Sequence, residues 1–316
     1  MTCYHPIDAW RSLYPNKNGK RKIVFDTKEA LPFSHLQVPC GKCIGCRLDR
    51  SAQSAVRGYH ELLTCGQENC CFITLTYDNE NLPFNKSVST SDLQKFWKRL
   101  RKRFPNARFK YIACSEYGAL RSRPHYHACI FGFRFPDERL PSPPVAPRSH
   151  SGFPNFQSDC LNQLWPYGIH VINNVSFNSV AYVARYILKK TLGDGSKYYV
   201  DEDGVCIEKE RSYWSAGIGL NYFNRYWKDF YSLNGCQVKK IDKEGNEVIK
   251  TYPVPRYYDK KLEVMNPSLF NDIKLKRSKE ARKLKNIPKY QPAGLAMSEM
   301  CRIIRVDKFL SRPLEA

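Results

Sequence analysis

Arg123-Pro124-His125-Tyr126-His127-Ala128-Cys129-Ile130-Phe131 is the segment that most restricts the fold. A proline opens it and apolar or aromatic residues fill it, the make-up of a β-strand. Side chains alternate along a strand, so His125 and His127 share one face and Tyr126 takes the other. Lys110–Gly118 reads as a second strand that closes on Glu116, nine positions before His125, and on a turn glycine. Paired as a hairpin, the two strands bring Glu116 beside both imidazoles, and three such donors can hold one metal ion. Two strand histidines on a half-exposed face are the plainer reading of the same residues.

What such a site would act on is suggested by charge. The 316 residues carry 51 basic and 30 acidic side chains, a formal net charge of +21. Such an excess attracts polyanions by counterion release and steering, and nucleic acid is the expected partner. No apolar run of about 18 residues offers a membrane span, and Met1-Thr2-Cys3-Tyr4-His5-Pro6 lacks the basic and apolar pattern of a secretory signal. The 13 unevenly spaced cysteines point to thiols in a reducing cytoplasm rather than to a disulfide framework.

Three of them stand at two-residue gaps in Cys40-Gly41-Lys42-Cys43-Ile44-Gly45-Cys46. Zinc favours four soft ligands in a closed tetrahedron, and the fourth is Cys3, with His5 or His35 as substitutes. The alternative is a cysteine-rich turn without metal.

Between these landmarks, periodicity gives a helix over 47–63, strands at 71–77, 108–116, 125–133 and 169–174, and a short helix over Asp159–Trp165. Ser91 is positioned to cap a helix that buries Leu93, Phe96, Trp97, Leu100 and Phe104. Its other face carries Lys95, Lys98, Arg99, Arg101, Lys102 and Arg103, a solvated surface or a phosphate-binding one. Residues 136–158 read as a proline-rich insertion. A helix over 179–190 sets Tyr182 and Tyr186 one turn apart, each followed three positions later by a cation, Arg185 and Lys189, with Lys190 beyond. Hairpins turn at 201–204 and 243–246, and the run Lys274–Lys289 reads as a basic helix or arm.

A free phenol, with a pKa of about 10, becomes a nucleophile only when its target is polarised. A metal on a scissile phosphate polarises it. Metal donors, paired tyrosines and a basic protein together suit a phosphotyrosine link to DNA, which conserves the phosphodiester bond energy and leaves a second tyrosine to attack the junction.

Pro124-His125-Tyr126-His127 resembles the defining motif of the HUH endonucleases, and Tyr182-Val183-Ala184-Arg185-Tyr186-Ile187-Leu188-Lys189 resembles the paired-tyrosine motif of their rolling-circle replication initiators. Phe72-Ile73-Thr74-Leu75-Thr76-Tyr77-Asp78, the cysteine knuckle and Pro255-Arg256-Tyr257-Tyr258 are similar to sequence in the initiators of microviruses, the small single-stranded DNA phages. The resemblance implies an α+β fold in which helices flank a central antiparallel sheet, an HUH core of RRM/ferredoxin-like type with the histidines on a middle strand. The core would span 47–235, after an N-terminal segment 1–46 whose zinc-like knuckle packs on it and before a C-terminal hairpin and basic tail, 236–316.

It further implies a metal-dependent endonuclease with strand-joining activity. Mg2+ or Mn2+ would sit on Glu116, His125 and His127, and Zn2+ on Cys3, Cys40, Cys43 and Cys46. A nick in single-stranded origin DNA would leave a 5′-phosphotyrosyl protein and a 3′ hydroxyl primer, and Tyr186, followed by Lys189, is chosen for the first attack. Lys95, Lys98, Arg99, Lys102, Arg103 and Lys190 would touch DNA. Host helicase and polymerase would be partners in the bacterial cytoplasm. Rival readings are a non-haem iron enzyme using the same three donors, a noncatalytic zinc-containing DNA-binding protein, and a single-strand transposase or relaxase of the same chemistry.

Overall fold

The computed structural model describes residues 3–17, 19–118, 122–140, 154–189, 198–200, 204–241, 245–284 and 286–310, with backbone alone for 186–189, 240–241 and 307–310. Two compact units divide the chain. Residues up to Asp49 join those from Ile273 onward, and Arg50–Asp272 form the second.

In the first unit β1 (Ile7–Pro15) pairs antiparallel with β2 (Arg21–Val24) and β3 (Leu36–Val38). Helix α1 (Ile44–Cys65) begins three residues before the expected position 47, because Arg47 N–H already donates to the Cys43 carbonyl at 3.1 Å. Cys46 therefore lies in its first turn.

The second unit continues with β4 (Cys70–Tyr77), α2 (Thr90–Arg103), β5 (Lys110–Tyr117), β6 (Pro124–Phe131), α3 (Asp159–Leu164), β7 (Gly168–Asn174) and α4 (Phe177–Lys189). Strands β8 (Tyr198–Val200) and β9 (Cys206–Glu208) form a ribbon, followed by β10 (Ser212–Trp214) and α5 (Leu220–Ser232). β11 (Cys236–Ile241) and β12 (Glu247–Tyr252) form the second expected hairpin. Residues 201–203 and 242–244 of the two turns, like 141–153 of the insertion, lie outside the described residues. Helix α6 (Arg256–Met265) precedes α7 (Pro267–Leu284), which carries most of the basic run, and α8 (Pro292–Leu310).

Five strands form one antiparallel sheet in the order β10-β5-β6-β4-β7, so β6 is the middle strand. Alternation sorts its two faces. Ile73, Leu75 and Tyr77 of β4 and Tyr126, Ala128 and Ile130 of β6 pack against Leu93, Phe96, Trp97 and Leu100 of α2 and Leu161 and Leu164 of α3. Each large side chain buried this way stabilises the fold by roughly 1.5–3 kcal/mol. The α2 cap differs from expectation: Ser89, in extended conformation, accepts from Asp92 N–H, and Ser91 lies inside the first turn.

The opposite face carries Ile112, Glu116, His125 and His127 and is crossed by α4, whose Val180, Val183 and Ala184 are fully buried. Helix α1 approaches it closely. A Cβ on Gly58 would crowd Val180 and lie 2.7 Å from Ile112 Cδ1.

Two late motifs fasten this arrangement. Glu61 of α1 accepts from Lys110 Nζ at 2.9 Å and Gly219 N–H at 2.6 Å, and the Tyr258 hydroxyl donates to the Gly219 carbonyl at 3.1 Å. Gly219 has φ +77°, and any Cβ there would collide with that hydroxyl. Tyr257 meanwhile lies under the Arg57 guanidinium, 3.9 Å away.

Candidate active site

The β5–β6 register places Glu116 directly opposite His125 and Cys114 opposite His127. Both imidazoles turn Nε2 toward one carboxylate oxygen: Glu116 Oε2 lies 3.5 Å from His125 and 3.3 Å from His127. His125 Nδ1–H donates to the Arg123 carbonyl at 2.9 Å, which leaves the Nε2 lone pair free. His127 Nδ1 contacts Thr74 Oγ1 at 3.0 Å, and its ring stacks on Phe72. Thr74 and Phe72 escape sequence reasoning because the β4–β6 pairing, which sets Thr74 opposite His127, cannot be read from one strand.

Electrostatics make this a site for a cation. Burial disfavours the Glu116 charge, yet the His125 and His127 imidazoles outweigh it and hold the carboxyl far below the usual carboxylate range. Burial lowers the His127 pKa, which keeps the ring in its neutral, ligating form. Three lone-pair donors and one negative charge converge, with all ligand atoms within 4.8 Å of one another. Two imidazoles and a carboxylate suit a divalent ion such as Mn2+, and Mg2+ also accepts the carboxylate.

Ser176 Oγ accepts from Ser179 N–H at the start of α4, and the buried valines fix the helix rotation. That rotation sends Tyr182 over the sheet. Its hydroxyl donates to Glu116 Oε2 at 2.9 Å and reaches His127 Nε2 at 3.4 Å, and its ring stands edge-on to His127. Arg185 lies over the Tyr182 ring at 5.3 Å, where its charge favours a phenolate. Tyr186 follows one turn later on α4. Its side chain and that of Lys189 are outside the described residues, as is Lys190 entirely.

Of the basic residues on α2, Lys98, Lys102 and Arg103 are exposed, and Lys95 pairs with Asp92 at 3.2 Å. Arg99 is half-buried. It donates to the Leu164 carbonyl and covers Tyr167, a packing role that its place in a basic run did not reveal.

The first unit gathers the second candidate centre. Cys3, Cys40, Cys43 and Cys46 converge within 4.8 Å. The Cys40–Cys46 and Cys3–Cys43 sulfurs are 4.0 Å apart, far beyond a disulfide and close to the edge of about 3.8 Å that 2.3 Å zinc–sulfur bonds imply. Main-chain N–H groups of Cys43, Lys42, Cys46, Tyr4 and Cys40 point at these sulfurs. Burial would raise the Cys40 pKa, but the N–H groups of Cys43 and Lys42 bring it down to about 7. Cys3 is thus the fourth donor. His5 and His35 instead contact Glu299 and Asp8.

The family model for the replication-associated protein ORF2 matches residues 70–191, the stretch that holds Glu116, both histidines and both tyrosines. The chain is 33% identical over 255 residues to the replication-associated protein ORF2 of Spiroplasma virus 4, covering 78% of this chain and 74% of that one. It is 30% identical over 270 residues to the replication-associated protein VP4 of Bdellovibrio phage phiMH2K, covering 82% and 76%. It is 29% identical over 224 residues to the replication-associated protein ORF4 of Chlamydia phage 1, covering 70% and 52%. No solved structure matches.

Proposed function

The chain belongs to the replication-associated protein family that includes the Spiroplasma virus 4 and phiMH2K proteins, and from that premise we propose a metal-dependent, origin-nicking endonuclease that initiates rolling-circle replication. The observation that carries this reading is the Tyr182 hydroxyl on the same carboxylate that unites the two histidines. We read the five-stranded sheet as the HUH-type, RRM/ferredoxin-like core.

Glu116, His125 and His127 would hold Mg2+ or Mn2+, which when bound supplies Lewis-acid polarisation of the scissile phosphate. The tyrosine oxygen bonds to phosphorus as the bond from phosphorus to the 3′ oxygen breaks. The phenol loses its proton and the departing 3′ oxygen gains one, so the products are a 5′-phosphotyrosine and a 3′ hydroxyl. Arg185 lowers the cost of charge on the Tyr182 phenolate. The contact with Glu116 favours Tyr182 for the first attack, which sequence reasoning gave to Tyr186. The other tyrosine then attacks the regenerated junction, and the reverse transfer joins the released strand.

Zinc on the four cysteines would be structural. Single-stranded origin DNA is the substrate, reached in the host bacterial cytoplasm with host helicase and polymerase. Among the described residues no helix is long and apolar enough to cross a membrane.

The test is covalent capture. Single-stranded DNA tiled across the source genome is incubated with protein and manganese, then denatured and examined for protein of raised mass. Wild type forms an adduct, Tyr182→Phe with Tyr186→Phe forms none, and Glu116→Gln loses most of it. Intact DNA binding without any adduct would leave a noncatalytic zinc-containing DNA-binding protein as the better reading.

A further inference from the structure

Within the first unit, a cavity of about 420 Å³ opens between the β1–β2 turn and the strands behind it, lined by Tyr14, Lys17, Lys22 and Val24 with Glu29 at its edge. Its charge is one positive in excess from these side chains. Tyr14 is 78% exposed although it sits on a strand, and Phe25 and Phe33 of the same unit are 61% and 108% exposed. The turn that presents Lys17 is braced. Asn16 N–H donates to the Lys20 carbonyl at 2.8 Å, and Asn16 Oδ1 accepts from Lys20 N–H at 2.9 Å. Ser12 Oγ, which donates to the Tyr14 carbonyl, accepts from Lys22 N–H at 3.0 Å and ties β2 to β1.

A single exposed aromatic is ordinary on a protein surface. Here an aromatic face, two lysines and a concavity coincide on a braced hairpin. From this coincidence we infer that the β1–β2 hairpin is a second contact for single-stranded DNA, with a base stacked on Tyr14 and the flanking phosphates on Lys17 and Lys22. A ring pre-set by the strand loses little entropy on stacking, and every base has a face to offer, so the contact is sequence-tolerant. Lysines act as point charges on phosphate and add a salt-dependent component. Duplex DNA hides its base faces, so Tyr14 adds nothing to duplex binding. The inference rests on DNA being the substrate and is independent of the phosphotyrosine chemistry.

The test uses the full chain and a fluorescent single-stranded 30-mer of mixed sequence, with the matching duplex as control, titrated at stepped salt concentrations. Tyr14→Ala should weaken single-strand binding about tenfold, in line with base stacking of ~1–3 kcal/mol, and leave duplex binding unchanged, while Tyr14→Phe binds as wild type. Lys17→Ala with Lys22→Ala should lower the slope of log affinity against log salt by about 1.4, or ~0.7 per phosphate contact. Unchanged melting temperatures establish that the variants fold. Wild-type affinity and slope in all variants would overturn the inference, as would an equal loss on duplex with Tyr14→Ala. Adduct formation on a short oligonucleotide, measured in parallel, judges the nicking reaction separately. A wild type that binds no single-stranded DNA would sink both.

Discussion

Glu116 sits where burial resists its charge and two imidazoles favour it, and a divalent ion resolves the conflict. Replacing it by glutamine keeps the shape and removes the charge. Manganese affinity should fall by at least about 10–100-fold, the scale seen even for outer-shell partners of metal ligands, as titration calorimetry would show. A different histidine carries the acid sensitivity of the fold. His60 is 1% exposed among the rings of Tyr222, Phe230 and Tyr258, and burial lowers its pKa to about 3. The unfolded chain takes up this proton near pH 6.5, whereas the fold refuses it until about pH 3. Stability from neutral His60 is therefore complete above pH 6.5 and is lost as pH falls, by on the order of 1.4 kcal/mol per unit. Urea midpoints at pH 7 and pH 5 should differ less for His60→Gln than for wild type.

At the scale of elements, the tightest joint is where α1 meets α4. Alanine usually stabilises a helix over glycine by about 1 kcal/mol. At Gly58 the added methyl would press on Val180 and Ile112, and overpacking of this kind costs roughly 1–3 kcal/mol. Gly58→Ala should therefore destabilise, and a urea midpoint equal to or above wild type would refute the close packing. Elements with strong periodicity were legible in the chain: β4, β5, β6 and β7 lie within two residues of their expected ends, and α2 shows its apolar stripe. β10 was not, because Ser212-Tyr213-Trp214 is a strand only through its pairing with Cys114, Ala113 and Ile112. The β1–β3 sheet was missed for a related reason, since β1 exposes residues on both faces and shows no alternation. The metal donors could be read because they lie on one hairpin. The approach of Tyr182 to Glu116 depends on how α4 rests on the sheet, which no local pattern records.

For the molecule as a whole, the four-cysteine cluster gives the first unit a centre that a small three-stranded sheet could not supply alone. Elemental analysis should find one zinc per chain. A strong chelator should open residues before Asp49 to proteolysis while the five-stranded sheet of the second unit persists. Metal content of zero with these cysteines still unreactive toward thiol reagents would contradict the assignment. The reaction itself can be read from a tryptic digest of the captured DNA adduct, because Arg185 divides the two tyrosines. Cleavage leaves Tyr182 on the peptide 149–185 and Tyr186 on Tyr186-Ile187-Leu188-Lys189. After nuclease trimming, mass spectrometry should find a nucleotide joined through its 5′ phosphate to the Tyr182 peptide, with the Tyr186 peptide labelled when Tyr182 is phenylalanine. A nucleotide on neither peptide, in a protein that has cut its DNA, would contradict the phosphotyrosine mechanism.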